Sequence, residues 1–321
     1  SGMIENWKQE GIQGWILSNQ WLSVKILEGK GGDVNQITWL PDKLTFLYTR
    51  DEGFAECRSK DLYKQPLDWY SDCSTGGWQD VIPGFGKYKE RIYDGMRPVG
   101  TAACVGWKAE SCPKENQEEL TLHVLLPDFP LRLVKRFRLE GTKLLVDESV
   151  ENLGDAPVDV TWTQHAVFGG DFLEPDVQIH YPSEELFLSS LYAQKGGQKE
   201  AYEKRISEAP MPDGTIHDLR RMREHTEDGQ LVFTMCAKEG RAGMRNAHKG
   251  LAFSLEWDKA VYPFVRCWYR NDSQGYAMAL EPCNYAYSSY SDTDREGMYL
   301  HLEPGEIRST SLAFRAERVE S

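Results

Sequence analysis

The sequence of 321 residues has no long apolar run. A helix that crosses a bilayer needs roughly 20 consecutive apolar residues, and no stretch approaches that length. Basic residues are also scarce, because 37 lysines and arginines stand against 50 aspartates and glutamates and leave a net charge of −13. Proteins that bind nucleic acids present a basic face to the phosphates. We therefore expect neither a nucleic-acid partner nor a membrane association.

The cysteines show no pairing pattern. There are seven, an odd number, and no two of them form a CxxC motif. We expect reduced thiols and a cytoplasmic location rather than a disulfide framework. Ser1 and Gly2, which precede Met3, are interpreted as the remnant of a removed tag.

Several catalytic motifs are missing. The sequence contains no HExxH, no GxSxG and no P-loop, and its histidines lack the spacing of a zinc site. Asp171, Glu174 and Asp176 form a small acidic group that does not match a calcium loop, and we interpret it as a turn. We expect no metal and no cofactor.

Aromatic residues and strand-like alternation are abundant. The sequence has 10 Trp, 15 Tyr and 12 Phe, and no long stretch shows an apolar period of 3.6. Alternation over residues 131–139 and 144–150, with a turn at 140–143, predicts a hairpin. We expect a third antiparallel strand at 158–162 and a second hairpin from 299–303 and 307–314. Further strands are predicted at 21–28, 120–126, 231–236, 251–257 and 262–269.

These patterns predict an all-β fold, a large antiparallel sandwich. We expect one domain over residues 3–321. The segment 194–230 is rich in charged residues and has little apolar periodicity. We interpret it as a solvated polar insertion with at most one short helix, and a lid over a ligand is the alternative.

Glu281 is a lone carboxylate near the end of a predicted strand. Alternation places Ala277, Ala279 and Glu281 on one face, so two small side chains leave room for a ligand beside the carboxylate. Pro282 is expected to end the strand, because it has no N–H to donate. One interpretation is an acid/base role, and the other is a salt bridge with an arginine at the rim of a sheet.

His165 is the second candidate. If the strand from Val158 keeps its register, His165 faces the polar side together with Thr163. An imidazole exchanges a proton near neutral pH, which suits acid/base catalysis. The alternative is an ordinary surface histidine.

A glycine-rich segment at 75–86 supplies a third candidate cluster. Trp78 could stack on the C–H groups of a sugar while Gln79 and Asp80 bind its hydroxyls. Burial of Trp78 in the core is the alternative interpretation.

Taken in order, several segments resemble the galactose mutarotase-like superfamily, which includes the aldose 1-epimerases. The segments are 76–86, 134–137, 150–154, 164–165, 261–264 with Trp268, 280–282 and 302–306. The resemblance implies a β-supersandwich with a concave sugar site, in which His165 matches the general acid and Glu281 the general base. We predict an isomerase that interconverts sugar anomers. The predicted substrate-binding residues are Trp78, Gln79, Asp80, Arg97, Arg266 and Trp268.

Two departures from the family pattern bear on the substrate. Val99 stands where the family commonly carries a histidine, and Thr75 stands where relatives that act on phosphorylated hexoses carry an arginine. Together with the negative net charge, Thr75 favours a neutral hexose. The alternatives are a non-catalytic carbohydrate-binding or sensing protein on the same fold, and a glycoside hydrolase or lyase that pairs Glu281 with Asp80.

Overall fold

The protein is represented by a computed structural model that describes residues 2–50, 75–94, 100–110, 118–188, 203–211, 214–225 and 229–320. Strands dominate these residues, and one seven-residue α-helix, α1 at Tyr290–Glu296, is present among them. The Ser289 hydroxyl caps the start of α1 by accepting from the Asp292 amide, and Gly297 ends it in the left-handed conformation. No helix in the described ranges is long and apolar enough to cross a membrane.

The larger sheet is antiparallel and contains twelve strands in the described part of the chain. Its order is β1-β2-β3-β4-β6-β14-β24-β23-β20-β16-β17, and β5 pairs with β4. The strands are β1 Met3–Gln9, β2 Ile12–Ser18, β3 Leu22–Leu27, β4 Asp33–Trp39, β5 Leu44–Thr45, β6 Trp78–Val81, β14 Thr163–Phe168, β16 Glu185–Leu188, β17 Glu203–Arg205, β20 Gln230–Cys236, β23 Phe264–Asp272 and β24 Gly275–Cys283.

The second large sheet is also antiparallel, and eight of its strands lie in the described ranges. Its order is β15-β21-β22-β26-β12-β11-β10-β9. The strands are β9 Lys108–Ala109, β10 Glu119–Leu125, β11 Leu131–Glu140, β12 Lys143–Asn152, β15 Gln178–His180, β21 Arg241–Asn246, β22 Leu251–Trp257 and β26 Ile307–Arg318.

Two small sheets flank the large ones. The four-stranded sheet has the order β25-β13-β7-β8, and the other is the pair β18-β19. The strands are β7 Gly86–Tyr88, β8 Arg91–Tyr93, β13 Val158–Val160, β18 Ala209–Pro210, β19 Ile216–His217 and β25 Leu300–Leu302. Short 3-10 turns cover Ala102–Cys104 and Ile206–Glu208.

The two large sheets pack face to face around one apolar core. Phe168 of β14 lies 4.3 Å from Phe253 of β22 between ring centroids, and Phe253 lies 5.4 Å from Phe314 of β26. Full burial of each such side chain stabilises the fold by about 1.5–3 kcal/mol. Strands β6, β14 and β24 lie in the middle of the larger sheet, so one of their faces is core and the other is available for a site.

The prediction of an all-β antiparallel sandwich is confirmed. The predicted hairpin is also confirmed, because β11 and β12 pair continuously from Leu131 opposite Asn152 to Glu140 opposite Lys143. The other strands predicted from alternation are present as β3, β10, β20, β22 and β23, with ends shifted by a few residues.

Two predicted strand partners are wrong. β13 does not extend the β11–β12 hairpin, because β26 occupies that edge of β12 and β13 pairs with β25 and β7 instead. The predicted C-terminal hairpin is not formed, since β25 and β26 lie in different sheets. Alternation shows that a segment is a strand, but it does not identify the neighbour with which the strand pairs.

Two local expectations also need correction. β24 does not stop at Pro282, because Pro282 pairs with Val265 and the strand continues to Cys283. The predicted solvated insertion is only partly solvated: the described residues 203–211 and 214–225 contribute buried side chains to the core. These are Ile206, Ala209, Met211, Leu219 and Met222.

Four cysteines lie in the described ranges, and all four carry free thiols. They are Cys104, Cys236, Cys267 and Cys283. Cys57, Cys73 and Cys112 lie outside the described residues. The expected reduced state agrees with these four residues, and the cytoplasmic location stays a prediction.

Candidate active site

His165 and Glu281 meet on the face of the larger sheet that points away from the core. The His165 Nε2 atom lies 3.2 Å from Glu281 Oε1. The two residues lie on neighbouring antiparallel strands, β14 and β24, which pair Thr163 with Cys283 and Val167 with Ala279. This register sets His165 directly opposite Glu281, and opposite residues share a face.

The two side chains differ in their access to solvent. The His165 side chain is 25% exposed, whereas that of Glu281 is 6% exposed. A ligand that arrives from solvent therefore reaches the imidazole first. The carboxylate lies below it, on the floor of the site.

Gln79 and Arg266 extend the row on either side of this pair. Gln79 of β6 lies opposite His165, and Arg266 of β23 lies opposite Glu281. Gln79 is buried and donates from its amide to Asp33 at 3.5 Å, and Asp33 in turn forms a buried ion pair with Lys30. The sheet thus aligns an amide, an imidazole, a carboxylate and a guanidinium on four adjacent strands.

Burial sets the protonation behaviour of Glu281. Loss of water around the carboxyl raises the pKa of Glu281 above its ordinary value, and the charges of His165 and Arg266 only partly offset that effect. A carboxylate with a raised pKa binds a proton more firmly than an exposed one. Glu281 is therefore suited to accept a proton.

Arg266 is held in place on one side only. Its guanidinium lies 5.4 Å from the centroid of the Tyr285 ring and donates to the Ser288 hydroxyl at 3.3 Å. Its Nε atom is buried and has no hydrogen-bond partner among the described residues. Arg266 therefore has an unused donor beside Glu281, below the solvent-accessible surface.

Trp268 and Tyr48 form an aromatic wall beside the row. Trp268 lies opposite Ala279 and so shares the face of Arg266 two residues away. Its ring meets the Tyr48 ring edge to face at 6.3 Å, and both pack on Val167, Ala277 and Ala279. The expected small side chains beside Glu281 therefore support aromatic rings.

Trp78 and Asp80 lie on the opposite, core face of the sheet. In β6 the residues alternate, so Gln79 points to the site while its two neighbours point inward. Trp78 is buried in the core and donates to Gln164 Oε1 at 2.7 Å. This agrees with the alternative interpretation of Trp78 as a core residue. Three consecutive strand residues cannot all contact one ligand.

The inward face carries a buried ionic network. Asp80 accepts from Trp162 at 2.9 Å and from Gln164 at 3.0 Å, and its other oxygen lies 2.8 Å from the Lys135 ammonium of the second sheet. The Gln164 amide also donates to Glu148 and, at 3.0 Å, to the Tyr262 hydroxyl. Because Asp80 points away from Glu281, it does not supply the second carboxylate that a glycosidase site would need.

The charges of this network are nearly balanced. Burial raises the pKa of Glu148 well above its ordinary value, and the adjacent Asp80 raises it further, which favours the protonated form of Glu148. Burial opposes ionisation of Asp80 as well, but the Lys135 charge and hydrogen bonds hold the pKa of Asp80 below its usual value. The main pair is therefore Asp80 with Lys135.

The remaining predicted residues do not contribute to the row of side chains around His165 and Glu281. Arg97 and Val99 lie outside the described residues. Asp171 accepts from Thr45, and Glu174 lies 3.0 Å from His248. No group of three potential metal ligands occurs in the ranges that the structure describes.

Tyr285 and Tyr48 lie beside the candidate site and were not predicted: they contact Arg266 and Trp268, respectively. Tyr285 follows Glu281 by four positions and lies in a segment with tyrosines at 285, 287 and 290, which was a usable signal. Tyr48 comes from a distant loop after β5, and nothing in its local sequence indicates its proximity to Trp268.

Comparison with known proteins identifies the fold. A family profile described as "Domain of unknown function (DUF4432)" matches residues 121–316. No curated protein has a similar sequence. A solved structure from Klebsiella pneumoniae, described as a "putative aldose 1-epimerase", has 16% identity and a TM-score of 0.71, with 99% of this chain and 85% of that chain covered.

Two further solved structures agree with this similarity. An Escherichia coli protein with the same description has 16% identity and a TM-score of 0.68, with coverage of 98% and 100% of the two chains. A galactose mutarotase-like protein from Clostridium acetobutylicum has 14% identity and a TM-score of 0.69, with 99% of each chain covered. The chain has the galactose mutarotase-like fold, which confirms the resemblance drawn from sequence.

Proposed function

From the premise that the chain belongs to the DUF4432 family, whose function is undescribed, and has a galactose mutarotase-like fold, we propose that it is an aldose 1-epimerase-like isomerase. It interconverts the anomers of a neutral hexose or a related sugar. The observation that carries the proposal is the 3.2 Å contact between His165 Nε2 and Glu281 Oε1 on the outer face of the sheet.

The reaction needs an acid and a base side by side. Glu281 removes the proton of the C1 hydroxyl while the protonated His165 donates to the ring oxygen, and the C1–ring oxygen bond breaks to give the open aldehyde. Rotation about the C1–C2 bond and the reverse proton transfers close the other anomer. Because both oxygens are bonded to the same carbon, adjacent catalytic groups suit this chemistry.

The neighbouring side chains have matching roles in the proposal. Gln79 and Arg266 flank the pair and bind sugar hydroxyls, and Trp268 offers its ring to the C–H face of the sugar. After one cycle both catalytic groups regain their starting protonation states. No external proton donor or acceptor is needed.

The test is the rate of anomer interconversion, measured by NMR exchange spectroscopy on neutral hexoses. Glu281→Gln keeps the shape of the side chain but removes the base, and we expect a loss of about 10²–10⁴-fold in the catalysed rate. Glu148→Gln is the matched control, since it makes the same change at a buried carboxyl of β12, on the core side of the site, and it should retain the wild-type rate. Equal rates in wild type and Glu281→Gln would contradict the proposal.

A carbohydrate-binding protein without efficient catalysis is the second candidate. It is favoured by Val99, which stands where the related enzymes commonly carry a histidine. Titration calorimetry separates the two functions. Saturable binding of a sugar by a wild-type protein that does not accelerate its anomer exchange would support this second function.

A further inference from the structure

A cavity lies on the outer face of the eight-stranded sheet, near the edge formed by β15. Its volume is about 530 Å³. Four arginines line it, together with His180 and the carboxylates Asp218 and Glu317. The arginines are Arg220, Arg221, Arg241 and Arg245. The guanidinium groups are concentrated here although the chain as a whole has a net charge of −13.

The concave shape is built into the sheet. Arg241, Gly243 and Arg245 alternate along β21 on one face, so a residue without a side chain separates two long ones. Ala252 of β22, opposite Arg245, continues this low floor. A Cβ atom at Gly243 would lie 2.2 Å from the Phe253 carbonyl oxygen, so the position does not accept a larger residue without backbone movement.

The segment that contains Arg220 and Arg221 forms the opposite wall. A β-bridge between Gln178 and Arg221 joins this segment to β15. Asp218 binds Arg220 through two hydrogen bonds of 2.9 and 2.7 Å. Arg221 pairs with Asp176 at 2.5 Å. The charges of these two arginines are therefore compensated.

The remaining two arginines are not compensated by a carboxylate. Arg241 forms no hydrogen bond or ion pair with any described residue, and its cross-strand neighbour Glu256 pairs with Arg315 instead. Arg245 donates only to the neutral backbone carbonyl of Glu320, at 2.6 Å. These two guanidinium groups carry two positive charges and Glu317 carries one negative charge, so the cavity is positively charged.

We propose that this cavity binds a small ligand that carries phosphate or carboxylate groups. Guanidinium forks match the geometry of both oxyanions and form charge-assisted hydrogen bonds with them. The volume lies within the range of small-molecule sites. The site belongs to the other large sheet and does not depend on the isomerase function.

Titration calorimetry with inorganic phosphate and with citrate tests the proposal. We expect saturable binding at one site per chain for at least one probe. Removal of both uncompensated charges in the double variant Arg241→Gln/Arg245→Gln should weaken that binding by about tenfold or more for each guanidinium lost. Ala252→Glu, which adds a carboxylate to the floor, should weaken it at least as much. The better probe identifies the ligand as a phosphate or a polycarboxylate.

Arg136→Gln is the matched control, because Arg136 is also exposed on the outer face of this sheet but pairs with Asp147 at 2.6 Å. It should bind as the wild type does, and unchanged circular dichroism and thermal midpoints verify that each variant is folded. The proposal is overturned if neither probe binds saturably, if the double variant and Ala252→Glu both keep wild-type affinity, or if Arg136→Gln loses as much. Binding and not activity is measured, so failure here leaves the isomerase proposal intact.

Discussion

The two faces of strands β6, β14 and β24 have opposite character. On the core face, Gln164 and Asp80 are buried and bonded to several protein partners each. On the outer face, His165 is a quarter exposed, and Arg266 keeps a buried Nε without a partner among the described residues. A network that the protein itself satisfies leaves little for a ligand. The partly exposed His165 beside Glu281 marks the outer face as the place where a ligand is expected to bind.

The largest effect is expected from Asp80→Asn on the core face. It removes the carboxylate that lies 2.8 Å from the buried Lys135 ammonium. We expect the free energy of unfolding to fall by about 3–5 kcal/mol in urea titrations. Glu148→Gln, which resembles the protonated residue, should cost less than about 1 kcal/mol. Equal losses of stability in the two variants would show that Asp80 is not the main partner of the Lys135 charge.

The two tryptophans allow a second contrast. Trp78→Phe removes the 2.7 Å bond to Gln164 and leaves a buried amide oxygen unpaired, so we expect about 1–3 kcal/mol of destabilisation with an unchanged KM. Trp268→Phe should raise the KM for the sugar several-fold at nearly unchanged stability. Thermal unfolding and anomer-exchange kinetics are measured on both. If Trp78→Phe raised the KM and Trp268→Phe lowered the stability instead, the assignment of Trp78 to the core face and of Trp268 to the outer face would be wrong.

The smallest expected effect is the change in the protein's stability when Glu281, on the outer face, is replaced by glutamine. Because the folded-state pKa of Glu281 is raised, its stabilising contribution exists only below its ordinary pKa of about 4.5 and is lost as pH rises through the folded-state pKa. At pH 7 the buried carboxylate therefore costs stability. Glu281→Gln should raise the free energy of unfolding by about 1 kcal/mol at pH 7 and by nearly nothing at pH 4. A variant that is less stable at pH 7 would argue against this cost.

Strand alternation correctly predicted the faces on which two residues of the candidate site lie. It placed Glu281 on a face with Ala277 and Ala279, and it placed His165 away from the core, because each of these segments is a single regular strand near the residue in question. The prediction of a continuous strand from Val158 was wrong, since β13 and β14 belong to different sheets. His165 nevertheless lies on the predicted face, away from the core.

The sequence was less informative about Trp78 and Asp80. Both were grouped with Gln79 by composition, although strand alternation separates them from it. Gly76 and Gly77 adopt positive φ angles of 73° and 78°, and a Cβ atom at either would lie within 2.5 Å of a backbone oxygen. The glycines therefore serve close backbone approach at the start of β6. The proximity of Tyr48 to Trp268 depends on tertiary folding and has no local signature.

A double-mutant cycle on the catalysed rate of anomer exchange tests whether His165 and Glu281 act together. It compares wild type, His165→Asn, Glu281→Gln and the double variant. Because the acid and the base act in one ring-opening step, we expect each single variant to lose about 10²–10⁴-fold and the double variant to lose little more than the worse single one. Losses that multiply, or single variants that keep the wild-type rate, would contradict the claim that His165 and Glu281 act as one catalytic pair.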